Sequence, residues 1–114
     1  MSRRDIDAKT FHDSYFRSGI SRVYGTAIVT MPTCGKCKGI LAQGAELDRI
    51  FGGGYSVYTF NGEPEGLEVL QAIGVSSAPI AVYLGPDGKD TAKHFETIKE
   101  LENFANSLES TLGD

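Results

Sequence analysis

Cys34 and Cys37 are the only cysteines in a chain of 114 residues, and they are separated by Gly35 and Lys36 alone in the stretch MPTCGKCKGI. Three chemistries are open to such a pair: small buried apolar residues, part of a metal site, or a dithiol that cycles with a disulfide. A zinc site needs further ligands, and neither His12 nor His94, the only histidines, stands at finger-like spacing, so no intrachain metal site is expected. A dimer that bridges a metal or iron–sulfur centre through Cys34 of each chain stays open.

The elements that must position the pair favour the redox reading. Residues 22–31, RVYGTAIVTM, form a β-branched and apolar run that predicts a strand buried on both faces, and Pro32 stops it. From Gly35 to Phe51, the apolar residues Ile40, Leu41, Leu47, Ile50 and Phe51 recur at helical spacing, with Gly44 as a weak point. Cys34 is thereby placed where a buried strand meets the start of a helix. Unpaired amide groups and the positive end of the helix dipole favour thiolate there, and Lys36 and Lys38 add positive charge at screened positions. One helical turn returns Cys37 to the side of Cys34, within bridging distance.

This order makes Cys34 the attacking thiolate and Cys37 the resolving thiol. Lowering a thiol pKa from ~8.5 to ~7 raises its thiolate fraction roughly 16-fold but removes about 5-fold of intrinsic reactivity, a net gain of about 3-fold. Most of the rate must therefore come from in-line presentation of sulfur to sulfur and from the leaving-group quality of Cys34.

The remaining elements surround this corner. Apolar positions Ile6, Phe11, Tyr15 and Phe16 predict an N-terminal helix over 4–17 that ends near Gly19. Residues 55–60 predict a second strand, whose Tyr55 and Tyr58, with Tyr83 further on, read as sheet packing. A helix starts at Pro64 with Leu67, Leu70 and Ile73 on one face and Gly74 as its C-cap, and Glu63, Glu65 and Glu68 form its solvated start. Residues 79–84 and 90–95 predict two strands of a hairpin joined through GPDGK. Thr97 and Glu100 make a capping box before a helix carrying Ile98, Leu101, Phe104, Ala105, Leu108 and Leu112. The expected architecture is α/β: a four-stranded mixed sheet flanked by helices, with an extra N-terminal helix. Ser76 and Ser77 have no context for a nucleophile, and FGGGY lacks the ending of a phosphate loop.

Composition narrows the function classes. With 40% hydrophobic and 23% charged residues the chain reads as one globular domain without a membrane span. A net charge of −4 removes nucleic acid as the default partner. The first twenty residues lack a continuous apolar segment, so no secretory or transit signal is expected and the chain is placed in the cytoplasm. Reducing systems there make a lone cysteine pair one that cycles or binds metal rather than a static staple.

Pro32-Thr33-Cys34-Gly35-Lys36-Cys37 between strand and helix, the β-α-β-α-β-β-α order, and Ser77-Ala78-Pro79 before the third strand together resemble the thioredoxin superfamily. The resemblance spans about residues 23–112, so 1–22 is read as an N-terminal extension and 23–114 as a thioredoxin/glutaredoxin-like domain. VTMPTCGKC (29–37) is similar to the entry of glutaredoxins and of glutaredoxin-like redoxins that feed electrons to ribonucleotide reductase. The resemblance implies that Cys34 is the nucleophile, Cys37 the resolving thiol and Pro79 a cis-proline facing them. Ala78 would pair with the backbone of a bound substrate, with Pro32, Thr33, Gly35 and Lys36 completing the substrate-facing loop.

Met31 stands where glutaredoxins place Lys, and nothing between Phe95 and Glu100 resembles their Gly-Gly-x-Asp/Ser element, so glutathione is left unassigned. Thr33 and Ile28 replace the Trp and buried Asp of thioredoxins, and the chain has no Trp. The activity implied is a thiol–disulfide oxidoreductase, acting as a monomer on protein disulfides, of which a ribonucleotide reductase type acceptor is one. It needs no cofactor beyond its own disulfide, and a reductase or glutathione restores the dithiol. The reading from another class is a noncatalytic binding module on the same fold.

Overall fold

The computed structural model describes residues 3–16, 26–52, 54–75, 77–83 and 91–112. Along the chain run β1 (Arg3–Ile6), α1 (Ala8–Phe16), β2 (Thr26–Thr30), α2 (Gly35–Leu41), α3 (Gly44–Ile50), β3 (Tyr55–Thr59), α4 (Pro64–Ile73), β4 (Ile80–Tyr83), β5 (Thr91–His94) and α5 (Ile98–Leu112). The strands form one mixed sheet in the order β1-β3-β2-β4-β5. β1 and β2 both run parallel to β3, whereas β4 is antiparallel to β2 and to β5.

The central strands carry the core because both sheet faces are covered. All five residues of β2 are buried, and successive side chains go to opposite faces. Ala27, Val29, Tyr58, Ile80 and Val82 pack with Phe11 of α1 and with Val69 and Leu70 of α4. Ile28, Val57 and Ala81 pack on the other face with Ile40, Leu47, Phe51, Phe95, Leu101 and Phe104. A strand buried on both sides shows a continuous apolar run rather than alternation, which is why 22–31 is readable as a strand; residues 22–25 lie outside the described ones.

The N-terminal region differs from expectation. The sheet has five strands rather than four, because Arg3–Ile6 pairs along β3 from Arg3↔Tyr55 to Ile6↔Tyr58. Arg3, Arg4 and Asp5 are exposed at this edge, so the segment lacks the apolar signature of a strand, and Ile6 alone fits the spacing of the helix expected over 4–17. That helix starts only at Ala8, where the Asp7 carboxylate accepts the Thr10 N–H at 2.8 Å as an N-cap. The expected stop at Gly19 lies outside the described residues.

The single helix expected over 35–51 is two. The chain leaves helical geometry at Gln43 (φ −93°, ψ 54°), with Gln43 N–H turned to the Ile40 carbonyl and Gly44 opening α3. The apolar stripe survives the break, since Ile40, Leu47 and Phe51 still enter one cluster.

The N-terminal segment belongs to the same core. Phe11 is fully buried and stacks on Tyr58 at 4.7 Å between ring centroids. Tyr58 O–H donates to the Glu63 carboxylate at 2.8 Å, and Asn61 N–H donates to the same oxygen at 2.8 Å. Glu63 is thus a bonded acceptor, not a solvated helix start, and these two donors, Asn61 first, hold its carboxyl below the usual range. Burial, followed by the bond to Glu63, raises the Tyr58 hydroxyl. α4 passes close enough that a Cβ on Gly66 would collide with the Tyr58 hydroxyl. Its C-cap Gly74 has φ 79°, the left-handed conformation expected there.

Candidate functional site

The site lies where β2 ends. The chain turns through Pro32 and Thr33, and Cys34 N–H donates to the Met31 carbonyl at 3.0 Å. Cys34 becomes the N-cap of α2, in an extended conformation, and its sulfur accepts the Cys37 N–H at 3.2 Å. A donor aimed at sulfur favours its anionic form.

Cys34 and Cys37 are joined as a disulfide, with Cα atoms 5.3 Å apart. Cys37 is 1% exposed, whereas Cys34 is only partly buried. Of the two cysteines, Cys34 is therefore the more accessible.

A second loop comes up against this corner from α4 and β4. The Ala78–Pro79 peptide bond is cis, and the Ala78 carbonyl oxygen lies 3.8 Å from Cys34 Sγ. The structure thus brings Pro32, Thr33, Cys34, Gly35, Lys36 and Cys37 together with Ala78 and Pro79. Pro32, Thr33, Gly35 and Lys36 are exposed, and Pro79 is buried.

The flanks of the corner differ. On one side Met31, Phe60, Leu67, Leu70 and Val75 line an almost wholly apolar cleft of about 330 Å³. Leu67, expected on one helix face with Leu70 and Ile73, lines this cleft beside Leu70 and is 45% exposed. On the other side Lys36 Nζ lies 2.9 Å from Glu96 Oε1, and Glu96 Oε2 lies 3.2 Å from His94 Nε2. Lys36, then His94, depresses the Glu96 carboxyl, and the bond to Glu96 raises His94.

Sequence reasoning missed His94 and Glu96, because His94 was weighed only as a metal ligand. The available signal was the β4–β5 hairpin, which sets His94 opposite Ile80, one residue beyond Pro79. Thr97 Oγ1 does accept the Glu100 N–H, at 3.1 Å, but the Glu100 carboxylate takes the Glu96 N–H at 2.6 Å. The capping box is therefore displaced by one residue and anchors Glu96. Among the described residues, no group of three or more His, Cys, Asp or Glu side chains is placed to hold a metal, and no helix is long and apolar enough to cross a membrane.

Comparison with solved structures fixes the fold class. Oxidised thioredoxin O2 from Arabidopsis thaliana superposes with a TM-score of 0.64 at 16% identity, over 99% of this chain and 96% of that one. Thioredoxin f2 from Chlamydomonas reinhardtii gives 0.64 at 17% identity, over 92% and 94%. A thioredoxin f2 solved in complex with ferredoxin:thioredoxin reductase gives 0.63 at 15%, over 96% and 94%. The chain has a thioredoxin-like fold. No protein-family model and no curated protein matches the sequence.

Proposed function

We propose that the chain is a thiol–disulfide oxidoreductase whose dithiol, Cys34 with Cys37, reduces disulfides in partner proteins. The observation that carries this reading is the sulfur pair at the strand-to-helix corner, with Cys34 accessible, Cys37 buried behind it and the Ala78 carbonyl beside Cys34.

In the reduced protein the Cys34 thiolate, stabilised by the Cys37 N–H, attacks one sulfur of the partner's disulfide. The partner's S–S bond breaks, its other sulfur leaves as a thiolate, and a mixed disulfide forms. Cys37 then gives up its proton and attacks Cys34 Sγ. The mixed bond breaks, its electron pair goes to the partner's remaining sulfur, and the internal disulfide closes. The partner gains two electrons, and its two thiolates take up one proton from Cys37 and one from water, which had received the proton lost by Cys34. Ala78 offers backbone beside Cys34 for an added strand of substrate, and the apolar cleft receives side chains that flank the partner's cysteine.

The cytoplasm is the compartment proposed, and a reductase restores the dithiol. The solved complex of a fold neighbour with ferredoxin:thioredoxin reductase supports a reductase rather than glutathione, as does Met31 in place of the Lys that glutaredoxins use.

Insulin reduction with dithiothreitol as electron donor tests the proposal. The folded protein is expected to speed precipitation of the insulin B chain well beyond dithiothreitol alone. An unaccelerated reaction with folded, reduced protein overturns the catalytic reading.

A further inference from the structure

A chain of charged groups runs from the dipeptide between the cysteines to the proline loop. Lys36 pairs with Glu96, Glu96 with His94 Nε2, and His94 Nδ1 reaches the carbonyl oxygens of Ser77 at 2.7 Å and Pro79 at 3.1 Å. Carbonyls only accept hydrogen bonds, so Nδ1 must carry a hydrogen; the Glu96 carboxylate also only accepts, so Nε2 must carry the other. The imidazolium satisfies all three contacts, whereas either neutral tautomer sets a lone pair against an acceptor. The two clamped carbonyls belong to the residues on either side of Ala78, whose own carbonyl faces Cys34 Sγ at 3.8 Å.

We propose that His94 is a positioning residue for disulfide exchange: its protonated ring holds the Ser77–Pro79 backbone in the geometry that receives a substrate strand, and couples it through Glu96 to Lys36. This inference rests on reading Cys34 and Cys37 as the exchanging pair. The groups that face His94 fix the sign of its pH dependence. Glu96 comes from the segment after β5, Lys36 from α2, and Glu100 of α5 holds the Glu96 amide. The proline loop contributes carbonyls, β4 contributes the apolar Ile80 as register partner, and Lys93 alternates to the opposite side of β5.

Glu96 raises His94 above its ordinary 6.5, so the unbroken chain from the carbonyls through the ring to Glu96 is complete below 6.5 and is lost as pH rises through the raised value, where a neutral ring keeps only one of its two donors. At the acid end it persists until Glu96, held low by Lys36, is protonated.

The test uses the full chain in its oxidised form, where neither cysteine titrates. In an NMR titration the Ala78 amide signal is expected to move with the His94 ring signal, at one shared midpoint above 6.5, and to lose that transition in His94→Asn. An Ala78 amide that ignores the His94 midpoint overturns the proposal, with no variant required. With reduced protein and insulin at pH 6, His94→Leu raises KM roughly 5-fold, while His94→Asn, which keeps a donor in the place of Nδ1, restores it to within about 2-fold. Equal KM for Leu, Asn and wild type also overturns it. If wild-type protein fails to reduce insulin while Ala78 follows His94, the clamp stands and the exchange reading falls.

Discussion

The two flanks of Cys34 solve different problems with different physics. The cleft of Met31, Phe60, Leu67, Leu70 and Val75 offers apolar surface, whose attraction for a partner is non-directional and scales with the area covered. The Lys36–Glu96–His94 chain is directional, exposed and titratable, and it fixes a backbone rather than covering a side chain. In the proposed exchange, affinity for a partner belongs to the first flank and geometry at the sulfur to the second. Exposed ion pairs add little stability, so the charged flank is better understood through what it orients than through what it stabilises.

The largest effect is expected where the flanks meet. Cys34→Ser removes the proposed nucleophile and is expected to lower insulin reduction by roughly three orders of magnitude or more, to the dithiothreitol background, without disturbing either flank. Stopped assays alongside a circular-dichroism spectrum check both halves of that statement.

Gly66→Ala comes next and acts beneath the apolar flank. A Cβ there collides with Tyr58 and presses on Phe60, which lines the cleft, so overpacking costs about 1–3 kcal/mol in a urea titration. Leu67→Glu, at an exposed position, leaves stability within about 0.5 kcal/mol but raises the insulin KM roughly 5-fold by placing charge in an apolar cleft. An unchanged KM breaks the division of labour between the flanks.

Glu96→Gln gives the smallest effect. It removes the main cause of the raised His94 value, so the NMR midpoint of His94 falls back toward 6.5 while the urea midpoint stays unchanged.

The same contrast explains what could be read from the sequence. Apolar periodicity marks elements that bury a face, so β2, β3, α4 and the β4–β5 hairpin were legible, as was the start of α5; the side chains of Leu108 and Leu112 lie outside the described ones. Pro32 and the Cys34–Cys37 spacing identified the corner because each is a local signal, whereas the place of Pro79 came only from the resemblance to the thioredoxin superfamily. β1 was hidden because an edge strand with exposed Arg3, Arg4 and Asp5 buries almost nothing. The break at Gln43 was hidden because Ile40 and Leu47 enter the same cluster on either side of it. The charged flank was invisible for a third reason. Lys36, His94 and Glu96 are ordinary polar residues; His94 and Glu96 are two residues apart, but Lys36 is distant along the chain and only the fold brings it to them.

The account depends on Cys34 being the sulfur that a partner meets. Reduced Cys37→Ser and Cys34→Ser proteins, each mixed with insulin and read by intact mass spectrometry, test this directly. Cys37→Ser is predicted to accumulate a mixed disulfide through Cys34, and Cys34→Ser to form almost none, because its remaining sulfur is buried. Equal trapping by the two variants, or trapping by Cys34→Ser alone, contradicts the account.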